Sequence, residues 1–165
     1  MTDSKTVAHQ SFLLIETGDA ELAEQIIAPD FVNEEAEDDP EDVERQRHGP
    51  AGFLATSRWL RDAFSNLRFE LQETLAEADT VMAAAIMTGQ HTGVFNGIAP
   101  TGRSITHKQV HIFTVADDQI TRHRAVRDDL GLLFQLGWQP GGPARSETGL
   151  RRSKAAVLGP RRPPT

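Results

Sequence analysis

The stretch from Arg103 to Asp128, RSITHKQVHIFTVADDQITRHRAVRD, is compatible with few folds. Ile105, His107, Gln109, His111, Phe113 and Val115 alternate with Thr106, Lys108, Val110, Ile112 and Thr114. A period of two is the mark of a strand, which turns successive side chains to opposite faces. A turn at Asp117-Asp118-Gln119 then predicts a second strand. In it His123, Ala125 and Arg127 share one face, and Arg122, Arg124, Val126 and Asp128 share the other. One face of the first strand thus sets two imidazoles and an amide among apolar side chains. Packing alone is poorly served by imidazoles at that spacing, so the hairpin reads as a concave sheet wall lining a ligand pocket.

The rest of the chain supplies what packs on that wall. Val7, Ala8, Phe12, Leu14 and Ile15 fall on one stripe of a helix over residues 4–17, with Ser4 a candidate cap. Gly18 suits its C-terminus and Asp19 the next N-cap. A second helix is expected over Ala20 to Ala28, ended by Pro29, followed by a short extended piece that leads to Asn33. Gly49-Pro50 opens a third helix over 50–65, closed by Ser65-Asn66. Strands are expected over Arg68 to Ala78 and Val81 to His91, the latter with small residues at Ala83, Ala84 and Ala85 that leave room on a pocket wall. Residues 92–103 form a Gly- and Pro-containing loop without the GxxxxGKS pattern of a phosphate loop. A short helix from Asp129 to Leu136, capped by Gly137, completes the series. Helices first and then about four mostly antiparallel strands predict an α+β fold, with helices packed on a curved sheet.

Length and charge set the remaining bounds. A chain of 165 residues reads as one domain over 1–138. Residues 139–165, rich in Pro, Gly and Arg, read as a tail with little to bury, expected to be disordered. Residues 1–144 carry 11 basic and 23 acidic side chains, a net of −12. An acidic body argues against nucleic acid as partner, since phosphate contacts need a basic face. No apolar run nears the ~20 residues of a membrane span, and the N-terminus lacks a signal-peptide core, so a cytoplasmic location is expected. Cys is absent, which removes disulfides, thiolate metal sites and a Cys nucleophile. Residues 34–44, EEAEDDPEDVE, hold eight acids. They read as a solvated loop or as a flap over the pocket, and they lack the spacing of a calcium loop. His107 and His111 lie ~13 Å apart on a strand, so no metal site is expected from them.

Three segments, TGDAELAEQIIAPDFVN, HGPAGFLATSRWLRDAFSNLRFE and HTGVFNGIAPTGRSITHKQVHIFTVADDQITRHRAVRDDLGLLFQLG, resemble the SnoaL-like polyketide cyclases of the nuclear-transport-factor-2-like superfamily. They cover most of residues 9–138. The closing pattern of QVHIF, a turn, a His and a Leu-rich helix ending QLG carries the resemblance furthest. The resemblance implies a cone-shaped α+β barrel with an apolar pocket, a homodimer or homotetramer, and no cofactor. The implied activity is closure of an aromatic polyketide ring by intramolecular aldol condensation. In such a reaction a base removes a proton beside a carbonyl, and the pocket holds the enolate against the second carbonyl. Matched position by position, Asn33, Gln109 and His111 fall on polar pocket residues of the family. His123 lies two before its acid–base Asp, a position that here is Ala125, in HRAVRD rather than a pattern like HRDWPD.

Candidate catalytic groups are therefore His111, His123 as the nearest replacement for the absent Asp, and Asp128 as a relocated carboxylate. For Asp128 the alternative is a helix cap, a role for which Asp129 competes. Candidate substrate-binding residues are Asn33, Gln109, His107, Phe113, Trp59, His91 and Ala125. His107 is expected at the rim, and for His91 a structural role is the competing reading. Three functions remain open: a cyclase-type enzyme acting on a flat aromatic polyketide, a binding-only pocket protein favoured by Ala125, and an isomerase or dehydratase of the same fold.

Overall fold

A computed structural model describes residues 3–35 and 43–140. Helix α1, Ser4–Thr17, buries Val7, Ala8, Ser11, Phe12 and Leu14. Gly18 ends it at φ 67°, its N–H reaching Leu14 O, a left-handed conformation that Gly adopts without Cβ strain. The residue at the N-cap is Asp3, not Ser4, and no side chain bonds there. Asp19 caps α2, Ala20–Ile26, by accepting from the Glu21 and Leu22 N–H groups.

The second helix stops earlier than the sequence suggests. Strand β1 spans Ile27–Asn33 and contains Pro29. A proline without an N–H is tolerated in an edge strand, and β1 pairs on one side only, with an irregularity between Ile27 and Val32. Helix α3, Gly49–Ala63, runs straight into β2, Phe64–Glu77. Ser65-Asn66 is therefore strand and not a helix end. Phe64 both bonds Leu60 O as the cap and begins the sheet.

Strands β3, Thr80–His91, β4, Ser104–Ala116, and β5, Gln119–Arg127, follow as a meander from β2. Asp117 and Asp118 both have positive φ, 51° and 62°, between the paired residues Ala116 and Gln119, as a two-residue hairpin turn of the strand-twist-matched kind requires. Helix α4, Asp129–Gln135, follows, with Gly137 beyond it at φ 88°.

The sheet order is β1-β5-β4-β3-β2, five strands rather than four, with β1 parallel to β5 and the rest antiparallel. The α+β architecture and curved sheet agree with expectation. The barrel is open, however: β1 and β2 are edges without mutual hydrogen bonds, and α3 packs against both. Two apolar clusters fill the inner face. One gathers Phe12, Phe31, Phe53, Val81, Phe113 and Ile120; the other gathers Phe64, Leu67, Met87, Phe95, Ile105 and Leu132. Most of the expected tail and residues 36–42 of the acidic segment lie outside the described residues. No helix among the described residues is long and apolar enough to cross a membrane.

Candidate active site

Strand β4 carries its inward residues from one cluster to the other. Phe113 belongs to the first and Ile105 to the second, and between them His111, Gln109 and His107 are all buried. These three would be costly to bury without partners, and they find them in one another. His111 Nε2 lies 2.6 Å from Gln109 Oε1, and Gln109 Nε2 lies 2.9 Å from His107 Nδ1. Gln109 Nε2 also faces Met87 Sδ at 3.6 Å. The other His111 nitrogen, Nδ1, is 2.9 Å from His123 Nε2 on β5, the strand paired with β4.

The parallel pairing of β1 with β5 sets Asn33 opposite His123. Asn33 Oδ1 is 3.1 Å from His123 Nδ1 and accepts from the Glu35 N–H at 3.3 Å, while its Nδ2 faces Thr56 Oγ1 of α3 at 3.4 Å. At the far end the Asp129 carboxylate lies 3.3 Å from His107 Nε2. That contact is too bent for a full hydrogen bond, and the buried nitrogen has no better partner among the described residues. A continuous polar seam thus crosses the interior between the two apolar clusters.

Aromatic rings hold the seam in place. Phe113 stacks on His111 and on His123, with centroids 5.9 and 5.2 Å apart. Phe12 of α1 meets His111 edge-on at 4.9 Å, and Phe69 of β2 does so at 6.2 Å. Burial, then the charges of His123, Arg127 and His107, hold His111 well below the usual imidazole range. Burial, followed by the Arg127 cation, lowers His123 to about 3. Both rings are neutral near pH 7, and neutral imidazole is the form that takes up a proton. The Asp129 carboxyl is held below its ordinary value, first by His107, with Arg127 adding to the effect against burial.

Other candidates fall elsewhere. His107 is 3% exposed, so it is interior and not at the rim; the seam, bounded by α4, runs deeper than the end of β4 suggested. Asp128 Oδ1 accepts from the Gly131 N–H and caps α4, which occupies it structurally. His91 is fully buried beside Phe64, its Nδ1 accepting from the Thr101 N–H, and it does not join the seam. Trp59 packs on Phe95 under the guanidinium of Arg45, also apart from the seam.

Ala125 puts no polar side chain at its own position between His123 and Arg127, yet a carboxylate stands beside it. The Ala125 N–H donates to Glu35 Oε1 at 2.7 Å, and Arg127 Nη2 donates to Glu35 Oε2 at 2.7 Å. In the sequence Glu35 is one of the eight acids of residues 34–44. Its one distinguishing signal is that it lies two residues beyond Asn33.

The concave wall is not an open cavity at the seam, where Phe12 and Phe69 close on His111. Two hollows lie mostly against outward-facing side chains. One of about 200 Å³ is lined by Glu34, Ile112, Thr114, Arg122 and Arg124 and reaches His123 of the seam; one of about 470 Å³ is lined by Gln72, Lys108, Val110, Val126 and Asp128 and reaches Gln109 and Arg127. Among the described residues no cluster of three or more His, Cys, Asp or Glu has the arrangement of a metal site.

A family model for SnoaL-like polyketide cyclases matches residues 6–136. Nogalonic acid methyl ester cyclase of Streptomyces nogalater is 32% identical over 123 residues, covering 73% of this chain and 87% of that protein. Aklanonic acid methyl ester cyclase AcmA of Streptomyces galilaeus is 32% identical over 123 residues, covering 73% and 81%. Among solved structures, TsrD from Streptomyces laurentii matches with a TM-score of 0.71 at 23% identity, over 83% of this chain and 98% of that one. IdmH from Streptomyces antibioticus matches with a TM-score of 0.69 at 24% identity, over 83% and 100%. These two likenesses are of fold.

Proposed function

The chain belongs to the SnoaL-like polyketide cyclase family, and from that premise we propose that it closes a ring of an aromatic polyketide methyl ester by intramolecular aldol condensation, with His123 as the base. The observation that carries this reading is the neutral His123–His111 pair, 2.9 Å apart, with His111 paired across the strands to Ala125. The substrate class follows the two curated relatives, which are named as cyclases of nogalonic and aklanonic acid methyl esters.

The step balances without an oxidant or cofactor. The C–H bond beside the ester carbonyl breaks, its proton goes to His123, and its electron pair forms an enolate. The enolate carbon bonds to the ketone carbon, whose oxygen becomes an alkoxide and takes up the proton that His123 holds, which restores the neutral imidazole. His111 and Gln109 fix the His123 ring and Asn33 lies against its other nitrogen. Holding both carbonyl centres in reacting geometry removes several kcal/mol from the barrier. Glu35 offsets the Arg127 cation, which otherwise opposes a positive charge on His123. The flat substrate is placed along the seam, where half-buried Phe69 closes on His111. Outward-facing Met82, Val110 and Val126 are exposed apolar side chains on three adjacent strands; they support a homo-oligomer formed through the outer face of the sheet.

A binding-only pocket is the second reading, and Ala125 is the feature that favours it. Turnover of the methyl ester of an anthraquinone-type polyketide acid separates the two. The wild type is expected to cyclise it, and Ala125→Asp is not required for activity. Turnover confined to Ala125→Asp would instead mean a pocket that had lost its chemistry.

A further inference from the structure

The seam contains more polar contacts than it has protons to fill them. From Asp129 to Asn33 there are five: the bent ionic contact Asp129–His107, then the hydrogen-bonded links His107–Gln109, Gln109–His111, His111–His123 and His123–Asn33. Each link needs one proton. A neutral imidazole supplies one N–H, and a primary amide bridging two partners supplies one along the chain. Three imidazoles and Gln109 supply four. Both ends are acceptors, a carboxylate at Asp129 and an amide oxygen at Asn33.

The direction of the chain is fixed as well. The negative charge of Asp129, 3.3 Å from His107 Nε2, draws the His107 proton to that nitrogen even through a bent contact, so His107 Nδ1 accepts. Gln109 must then turn its NH₂ toward His107, and that orientation is supported by Met87 Sδ on the same side. Gln109 Oε1 consequently accepts from His111 Nε2–H, and His111 Nδ1 accepts from His123 Nε2–H. His123 Nδ1 is left with a lone pair facing Asn33 Oδ1 at 3.1 Å. Asn33 cannot relieve this by rotating its amide without loss, because the Glu35 N–H donates to the same oxygen.

We infer that the chain from Asp129 to Asn33 is a one-proton acid–base unit, in which Asp129 sets the polarity and so directs the reactive lone pair to His123 Nδ1. Uptake of a single proton there fills every link, and the proton can be shared with His111 by a shift across their 2.9 Å bond. That gain opposes the burial and the Arg127 cation that disfavour a charged His123. The charged groups around the pair are Arg127 on β5, Glu35 after β1, and His107 and Asp129 along the chain, with Glu34, Arg122 and Arg124 sharing a hollow with His123. Helix α1 and strand β2 present the uncharged Phe12 and Phe69. Asp129 is 64% exposed and acts through His107 and Gln109, so it is a positioning residue.

The role in turnover rests on the cyclase reading; the proton arrangement does not, and imidazole ¹⁵N NMR of the free protein tests it without substrate. In the wild type His107, His111 and His123 are expected as Nε2–H tautomers. Asp129→Asn supplies a donor in place of the carboxylate, completes five protons for five links and reverses the chain. All three rings then become Nδ1–H tautomers, and kcat falls with KM unchanged. In a Gln109→Leu background, which cuts the chain, Asp129→Asn should leave His111 and His123 as they were. Unchanged His111 and His123 tautomers in Asp129→Asn alone would overturn the inference, as would a reversal that survives Gln109→Leu. Reversed tautomers in a protein that cyclises nothing would leave the inference standing and remove only the reaction.

Discussion

His123→Ala is expected to lower kcat by about 10²–10⁴-fold, the usual contribution of a positioned general base. KM should stay within a few-fold. The argument rests on position, since His123 is the one imidazole of the seam left with a lone pair that no donor fills in the neutral chain. His123→Ala also removes a ring stacked on Phe113, so far-UV circular dichroism and a melting curve must accompany the kinetics. A folded variant with undiminished kcat would exclude His123 as the base.

Acid should destabilise this protein before its carboxylates begin to titrate. His111 and His123 have folded pKa values below their unfolded value of 6.5. Below pH 6.5 the unfolded chain therefore binds protons that the folded one refuses, and stability falls with pH. The contribution is complete above 6.5 and is lost progressively down toward the folded values. The slope is about 1.4 kcal/mol per pH unit for each imidazole that stays neutral. Because the seam has room for one added proton, at least one of the pair stays neutral at pH 5. The unfolded imidazole is already half protonated at pH 6.5, so the expected loss from pH 6.5 to 5 is then at least about 1.7 kcal/mol. The Asp129 carboxyl, lowered from 3.8, acts in the same direction but at lower pH. Urea denaturation at the two pH values measures the loss, and His123→Gln should reduce it. Equal stability at pH 6.5 and 5 would mean that both rings are already charged or solvated.

The hairpin was the legible part. Period-two alternation from Ile105 to Phe113 named the buried face, and those five residues are buried. The turn at Asp117-Asp118 could be read because two short acidic residues tolerate positive φ. Local rules failed where distant contacts decide. Pro29 reads as a helix stop, yet it sits in an edge strand whose place is set by pairing with β5, some ninety residues on. That same pairing delivers Asn33 to His123 and lets Glu35 reach Ala125. No periodicity within residues 27–35 encodes either contact. His107 looked like a rim residue because it lies toward the strand end, but α4 folds back along β4 and brings Asp129 to it. The family resemblance located the vacancy at Ala125, and only the tertiary arrangement reveals the carboxylate beside it.

The most direct test of the central claim isolates proton removal from ring closure. A methyl ester analogue lacking the acceptor ketone can lose and regain its activated proton but cannot cyclise. In deuterated water the wild type should catalyse deuterium incorporation at that carbon, followed by ¹H NMR, and His123→Ala should not. Exchange that persists in a folded His123→Ala at the wild-type rate would contradict the account.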